Sequence, residues 1–166
     1  MKFRILLLSV FFSTSVVAVE IQEPAPFFSL NVMANANGGG KLTLNDYRGK
    51  VIYLDFWASW CGPCRRSFSV LNELRNKYPR SKFEVIAVNL DEDRDDALAF
   101  LQKYKVDYPI VYDTQNKIPY DYKLKGMPTA FLIDRAGVIR YIHDGFKDKD
   151  AATIESHVRD LVAEIR

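Results

Sequence analysis

Only two cysteines occur in the 166 residues, Cys61 and Cys64. None is left over for a structural disulfide, so stability must come from a packed core, which a chain of this length can bury. Histidine is as scarce, with His143 and His157 far from the cysteines in sequence. A zinc site would normally need two more ligands than the cysteine pair supplies. Charge of either sign is not in excess: 23 basic residues face 21 acidic ones. That balance gives no electrostatic footprint for nucleic acid. There is no low-complexity tract and no internal repeat. The one amino-terminal apolar run, Ile5 to Val17, is short for a membrane span.

That run reads as a targeting segment. Lys2 and Arg4 precede it, and Val16-Val17-Ala18 supplies small residues for cleavage after Ala18. The expectation is a signal peptide over residues 1–18 and a single domain over 19–166. The alternative is an uncleaved membrane anchor. No cysteine follows the cleavage site, which argues against a lipoprotein. Cleavage removes Lys2 and Arg4 and leaves 21 basic against 21 acidic residues. An exported chain carries its thiols into an oxidising compartment, periplasmic or otherwise extracytoplasmic.

The chain is organised around Val51–Cys64, V-I-Y-L-D-F-W-A-S-W-C-G-P-C. An apolar run of strand length, Val51 to Trp57, leads to the cysteines. Phe68, Leu71, Leu74 and Tyr78 then recur at helical spacing. Cys61 therefore falls at a helix N-terminus, where unpaired N–H groups and the helix dipole favour an anion. That setting lowers a thiol pKa and yields a nucleophile. Disulfide exchange needs one thiolate to attack and a second thiol to resolve the mixed disulfide. Cys61 is expected to attack and Cys64 to resolve. Pro63 is tolerated in a first helical turn, where its missing N–H is not needed. Gly62 lets a partner backbone approach, and Trp60 covers the edge of the site. The spacing alone also fits metal binding or an inert pair.

At these residues the chain resembles the thioredoxin superfamily, whose active-site signature is W-C-G-P-C after an apolar strand. The likeness narrows upstream. Pro24–Leu30 leads into the first of two short strands, about Phe27–Asn31 and Lys41–Leu44, with a turn over Asn35–Gly40. L-x-x-Y-R-G-K then precedes the cysteine strand. This pattern, from about Pro24 to Phe146, resembles the exported TlpA/ResA-like family. The resemblance implies a central mixed sheet flanked by helices, an amino-terminal hairpin and an inserted helix and strand between Asn89 and Asp113. Residues 91–96 read as a solvated helix start. Asp148 and Asp150 are expected to cap a last helix with the stripe Ile154, Val158, Leu161 and Ile165.

The resemblance also implies roles. Gly126-Met127-Pro128-Thr129 matches the family's cis-proline loop, in which Met127 would offer its backbone to an extended substrate. Asp55 matches a buried aspartate that handles the resolving cysteine's proton. Glu84 is matched to a glutamate near the site and is expected to form, with Asp55, a proton relay for Cys64. Ala87 stands where thioredoxin has a lysine. His143 and His157 are expected at the surface. No metal and no cofactor beyond the redox-active cysteine pair is implied. The expected activity is thiol–disulfide exchange, as a reductase of protein disulfides such as those of apocytochromes c or copper-site proteins. A membrane reductant carrier would supply its electrons. The rival readings are a thiol peroxidase and a copper-binding chaperone. Ala58-Ser59-Trp60-Cys61 departs from the T-x-x-C of peroxidases, and C-x-x-C departs from the C-x-x-x-C of copper chaperones.

Overall fold

The computed structural model describes residues 21–34 and 40–164. The expected signal segment, most of the Asn35–Gly40 turn and Ile165 lie outside the described residues.

Seven strands form one mixed sheet: β1 (Ser29–Ala34), β2 (Lys41–Thr43), β3 (Val51–Trp57), β4 (Phe83–Asn89), β5 (Ile110–Tyr112), β6 (Thr129–Ile133) and β7 (Ile139–Asp144). Their order is β2-β1-β5-β4-β3-β6-β7. β3, β4 and β5 run parallel, and every other pairing is antiparallel. β3 and β4 are buried along their whole length. That is why both read as nearly unbroken apolar runs rather than as alternating ones.

Side chains alternate between the two faces of a strand. Val51, Tyr53 and Trp57 therefore share a core with Phe83, Val85 and Ala87. Helices α1 (Gly62–Asn76), α2 (Arg94–Lys103) and α4 (Asp150–Ala163) cover this face through Phe68, Leu71, Leu74, Phe100, Ile154, Val158 and Leu161. Ile52, Leu54, Phe56, Ile86 and Val88 face the other way. They meet Phe28 and Leu42 beside the hairpin and Ile118 of the short helix α3 (Lys117–Asp121). The thioredoxin-like architecture is thus present, with its hairpin, and with α2 and β5 between Asn89 and Asp113 as the insertion.

Local details differ from expectation. β1 runs over Ser29–Ala34 rather than from about Phe27 to Asn31. Leu44 begins a 3-10 turn over Leu44–Tyr47 instead of ending β2. Asp93 caps α2, accepting from Asp95 N–H at 2.9 Å, but Asp91 is buried rather than solvated. Neither Asp148 nor Asp150 caps α4. Lys149 holds the cap position without a side-chain bond, and Asp150 is already helical. Its carboxylate reaches back to the Lys147 N–H at 2.8 Å. The β6–β7 turn is closed by Asp134, whose Oδ1 accepts from the N–H groups of Ala136 and Val138. Gly137 has φ +79° there, and a Cβ on it would lie 2.1 Å from the Arg48 guanidinium.

Candidate active site

Cys61 ends the loop after β3 and is the N-cap of α1. A disulfide joins it to Cys64, one turn into the helix. The Cys64 N–H donates to Cys61 Sγ at 3.3 Å. The same donor would bond a Cys61 thiolate once the disulfide opens, and hydrogen bonds to the charged form favour it. Pro63 lies in the first turn of α1, where it removes no helical bond. Nothing lies within 4 Å of where a Gly62 Cβ would be, so the surface next to the buried Cys61 is open at Gly62. Trp60 is 70% exposed beside it.

The loop carrying Ser59 and Trp60 is held from the neighbouring strand. β3 and β4 are parallel and end together, Trp57 opposite Asn89. The segments that follow them therefore meet. The buried Asp91 carboxylate accepts from Ser59 N–H and from Ser59 Oγ, and Asn89 Nδ2 donates to its Oδ2 at 2.7 Å. Sequence reasoning missed this role, because three acids before a helix look like solvated cap residues. The signal was positional: Asp91 stands just past the C-terminal end of the strand beside the cysteine strand.

The Met127–Pro128 peptide is cis. Its loop is pinned on both sides. Thr129 Oγ1 donates to Gly126 O at 2.8 Å, and Gly145 N–H donates to Pro128 O at 2.7 Å. Met127 packs against the core cluster that contains both cysteines.

Asp55 lies opposite Ala87 on one side and Ala130 on the other. Two methyl groups leave it room but no partner. It is buried, and its Oδ2 accepts no hydrogen bond among the described residues. Burial pushes its carboxyl up to about 8. A group with that pKa is mostly protonated at neutral pH yet ionises within reach of it, which suits proton transfer. Pro128, Ser67 and His143 line the same narrow gap as Asp55. Ser67, also unremarked in the sequence, is buried and donates to Cys64 O at 2.9 Å.

Glu84, expected beside Asp55, is not brought there. Its register partner is Ile52, three residues before Asp55, and its parity places it on the opposite face. It pairs instead with Arg75, Nε to Oε1 2.5 Å, and with Arg80 at 3.0 Å. A buried acid signals a polar function in sequence, but only the pairing shows which one. His143 and His157, expected as separate surface residues, are bonded to each other, Nε2 to Nδ1 3.0 Å.

A disulfide-bonded cysteine pair at a helix N-terminus, a cis-proline loop packed on the same core and a buried acid in the strand before the pair together define a thiol–disulfide oxidoreductase of the thioredoxin fold. Comparisons with known proteins agree. The Redoxin family model matches residues 20–160. The thiol-disulfide oxidoreductase ResA of Geobacillus kaustophilus is 35% identical over 150 residues, covering 90% of this chain and 83% of that one. The thioredoxin-like protein YneN of Bacillus subtilis is 34% identical over 141 residues, 83% of this chain and 79% of that one. A crystal structure of a candidate thiol:disulfide interchange protein DsbE from Chlorobium tepidum superposes with a TM-score of 0.82 at 39% identity. It covers 88% of this chain and all of that one. The chain belongs to the Redoxin family, in its TlpA/ResA-like branch of thiol–disulfide oxidoreductases.

Proposed function

We propose that this chain is an exported reductase of protein disulfides. The Cys61 thiolate attacks a substrate disulfide and forms a mixed disulfide. Cys64 then attacks Cys61 Sγ, giving its proton to Asp55, and the reduced substrate leaves. The extended substrate segment pairs with the backbone at Met127, a form of strand addition. Gly62, Pro63 and Trp60 shape the surface on which it docks. The family likeness extends the reading to substrates such as the cysteine pairs of apocytochromes c or copper-site proteins, and to a membrane carrier that restores the dithiol. The amino-terminal segment is the export signal in this reading. Among the described residues, no helix is long and apolar enough to cross a membrane.

The observation that carries the direction is what surrounds Cys61. Redox direction depends on how far the reduced form is stabilised, mainly through the attacking thiolate. Gly62-Pro63 supplies no cation and no side-chain donor. Among the described residues, the helix N-terminus and the Cys64 N–H are the groups placed to stabilise that thiolate. The site is therefore closer to thioredoxin, about −270 mV, than to the oxidase DsbA, about −120 mV. A titration in glutathione buffers should give a potential below about −200 mV, between those brackets. A value near that of DsbA would make the protein an oxidase.

A further inference from the structure

Asp55, Ala130 and His143 form one row across three strands. Asp55 is the register partner of Ala130 in β6, and Ala130 is the partner of His143 in β7. Partners in register share a face, so the acid and the imidazole lie on one face in the row that Ala130 joins, with the Tyr53 ring stacked on His143, centroids 5.7 Å apart. Both line the narrow gap that Pro128 and Ser67 also border. Asp55 Oδ2 and His143 Nδ1 are each buried without a hydrogen-bond partner among the described residues. The other ring nitrogen of His143 meets His157 Nδ1 at 3.0 Å. His157 is half-buried on α4. Its ring stacks on Tyr141, centroids 3.8 Å apart, and lies nearly parallel to His143 at 8°.

We propose that His143 and His157 are the proton conduit of Asp55, linking the buried acid to solvent at the β7–α4 side of the molecule. The proposal rests on the reading of Asp55 as the acceptor of the Cys64 proton.

Imidazole suits this task because a proton can enter at one nitrogen as another leaves from the second. With His143 Nε2–H donating to His157, His143 Nδ1 presents a lone pair to the gap. With the opposite tautomers it presents N–H. The charged and titratable groups around His143 are Tyr53 and Asp55 of β3, Tyr141 and Asp144 of β7, and His157 and Asp150 of α4. Burial, then His157, holds His143 down to about 4, against the pull of Asp150 and Asp144. Imidazolium therefore does not accumulate, and the proton crosses His143 in one concerted exchange. The gap is too narrow to hold a water, so contact across it comes from a swing of the Asp55 carboxyl.

The steps balance over a full cycle. At neutral pH most Asp55 is protonated and must first shed that proton through the pair. Cys64 then gives its own proton to the carboxylate and forms a bond to Cys61 Sγ. The Cys61–substrate S–S bond breaks, and its electron pair leaves on the substrate sulfur. When a reductant later opens Cys61–Cys64, Cys64 departs as a thiolate and recovers a proton from Asp55. The conduit then runs inward, which resets both tautomers. A docked substrate covers the cysteine side of Asp55, so a route on the other side keeps the acid titratable in the mixed disulfide.

The test is stopped-flow oxidation of the reduced protein by oxidised glutathione at pH 7 in dilute buffer, followed by tryptophan fluorescence. His143→Gln and His157→Gln should leave the bimolecular attack unchanged. They should slow the unimolecular resolution by about 10- to 100-fold, at or below the lower range of acid–base assistance. Added imidazole should restore the rate in the variants and leave the wild type unaffected. A slowing that imidazole does not relieve would mean that the rings only support packing, and would overturn the proposal. Wild-type resolution in both histidine variants, with Asp55→Asn slowed, would also overturn it while sparing the role of Asp55. Wild-type resolution in Asp55→Asn would remove the reading beneath it. Should His143→Gln fail to fold by circular dichroism, the half-exposed His157→Gln carries the same comparison.

Discussion

Ser59 and Asp91 are bound to each other through both backbone and side chain. The Ser59 N–H lies 3.1 and 3.0 Å from the two carboxylate oxygens, and its hydroxyl donates to Oδ1 at 2.9 Å. Trp60 and Cys61 follow directly, so Cys61 is positioned from β4 as well as from its own helix. The Tyr112 hydroxyl donates to Asp91 O at 3.0 Å and ties β5 into the same clamp.

Asp91→Ala should therefore cost about 1–3 kcal/mol, the penalty for buried donors left without an acceptor. It should also slow disulfide reduction, since the loop before Cys61 is released. Asp91→Asn keeps one acceptor oxygen and should recover part of both losses. Urea midpoints and insulin-reduction rates measure the two effects. An unchanged midpoint in Asp91→Ala would show that the clamp contributes nothing.

The cysteine roles separate on non-reducing gels. Cys64→Ser should accumulate mixed disulfides with partner proteins, because attack occurs and resolution does not. Cys61→Ser should accumulate none. The reverse pattern would exchange the two assignments.

Asp55 makes stability depend on pH with a defined sign. In the unfolded chain its carboxyl ionises near 3.9, whereas in the fold it stays protonated up to about 8. Between those values the folded state holds the extra proton, so stability falls as pH rises, by at most about 1.4 kcal/mol per unit. Asp55→Asn removes this slope. Relative to wild type, the variant should gain up to about 4 kcal/mol between pH 5 and pH 9. Parallel urea titrations at the two pH values measure it, and a constant difference would mean an ordinary carboxyl pKa.

Glu84 should behave as a structural residue. Its ion pair with Arg75 is buried, with side chains 5% and 3% exposed. Removing one partner from such a pair costs about 3–5 kcal/mol, because the other charge is left unpaired. Glu84→Ala should lose stability on that scale while its resolution kinetics with oxidised glutathione stay those of wild type. A slowed resolution step in folded Glu84→Ala would return the residue to the proton chemistry.

Local pattern was enough for much of this molecule. The V-I-Y-L-D-F-W run, the W-C-G-P-C signature, the 3.6-residue stripe after it and the G-M-P-T loop each declare their element in adjacent residues. Hydrophobic period and turn chemistry act over a few residues, and so they survive in a bare sequence. Partnerships between strands do not. Asp55 and Glu84 look alike in sequence, two acids inside apolar runs. The parallel register of β3 and β4 sets Asp55 opposite Ala87 and Glu84 opposite Ile52, and so sends them to opposite faces. Asp91 reads as one more helix-start acid until the two strands end side by side and bring it to Ser59. His143 and His157, 14 positions apart, become one bonded pair only when α4 packs across β7. Register and packing are set by the whole core at once, which is why these three relationships belong to the tertiary structure alone.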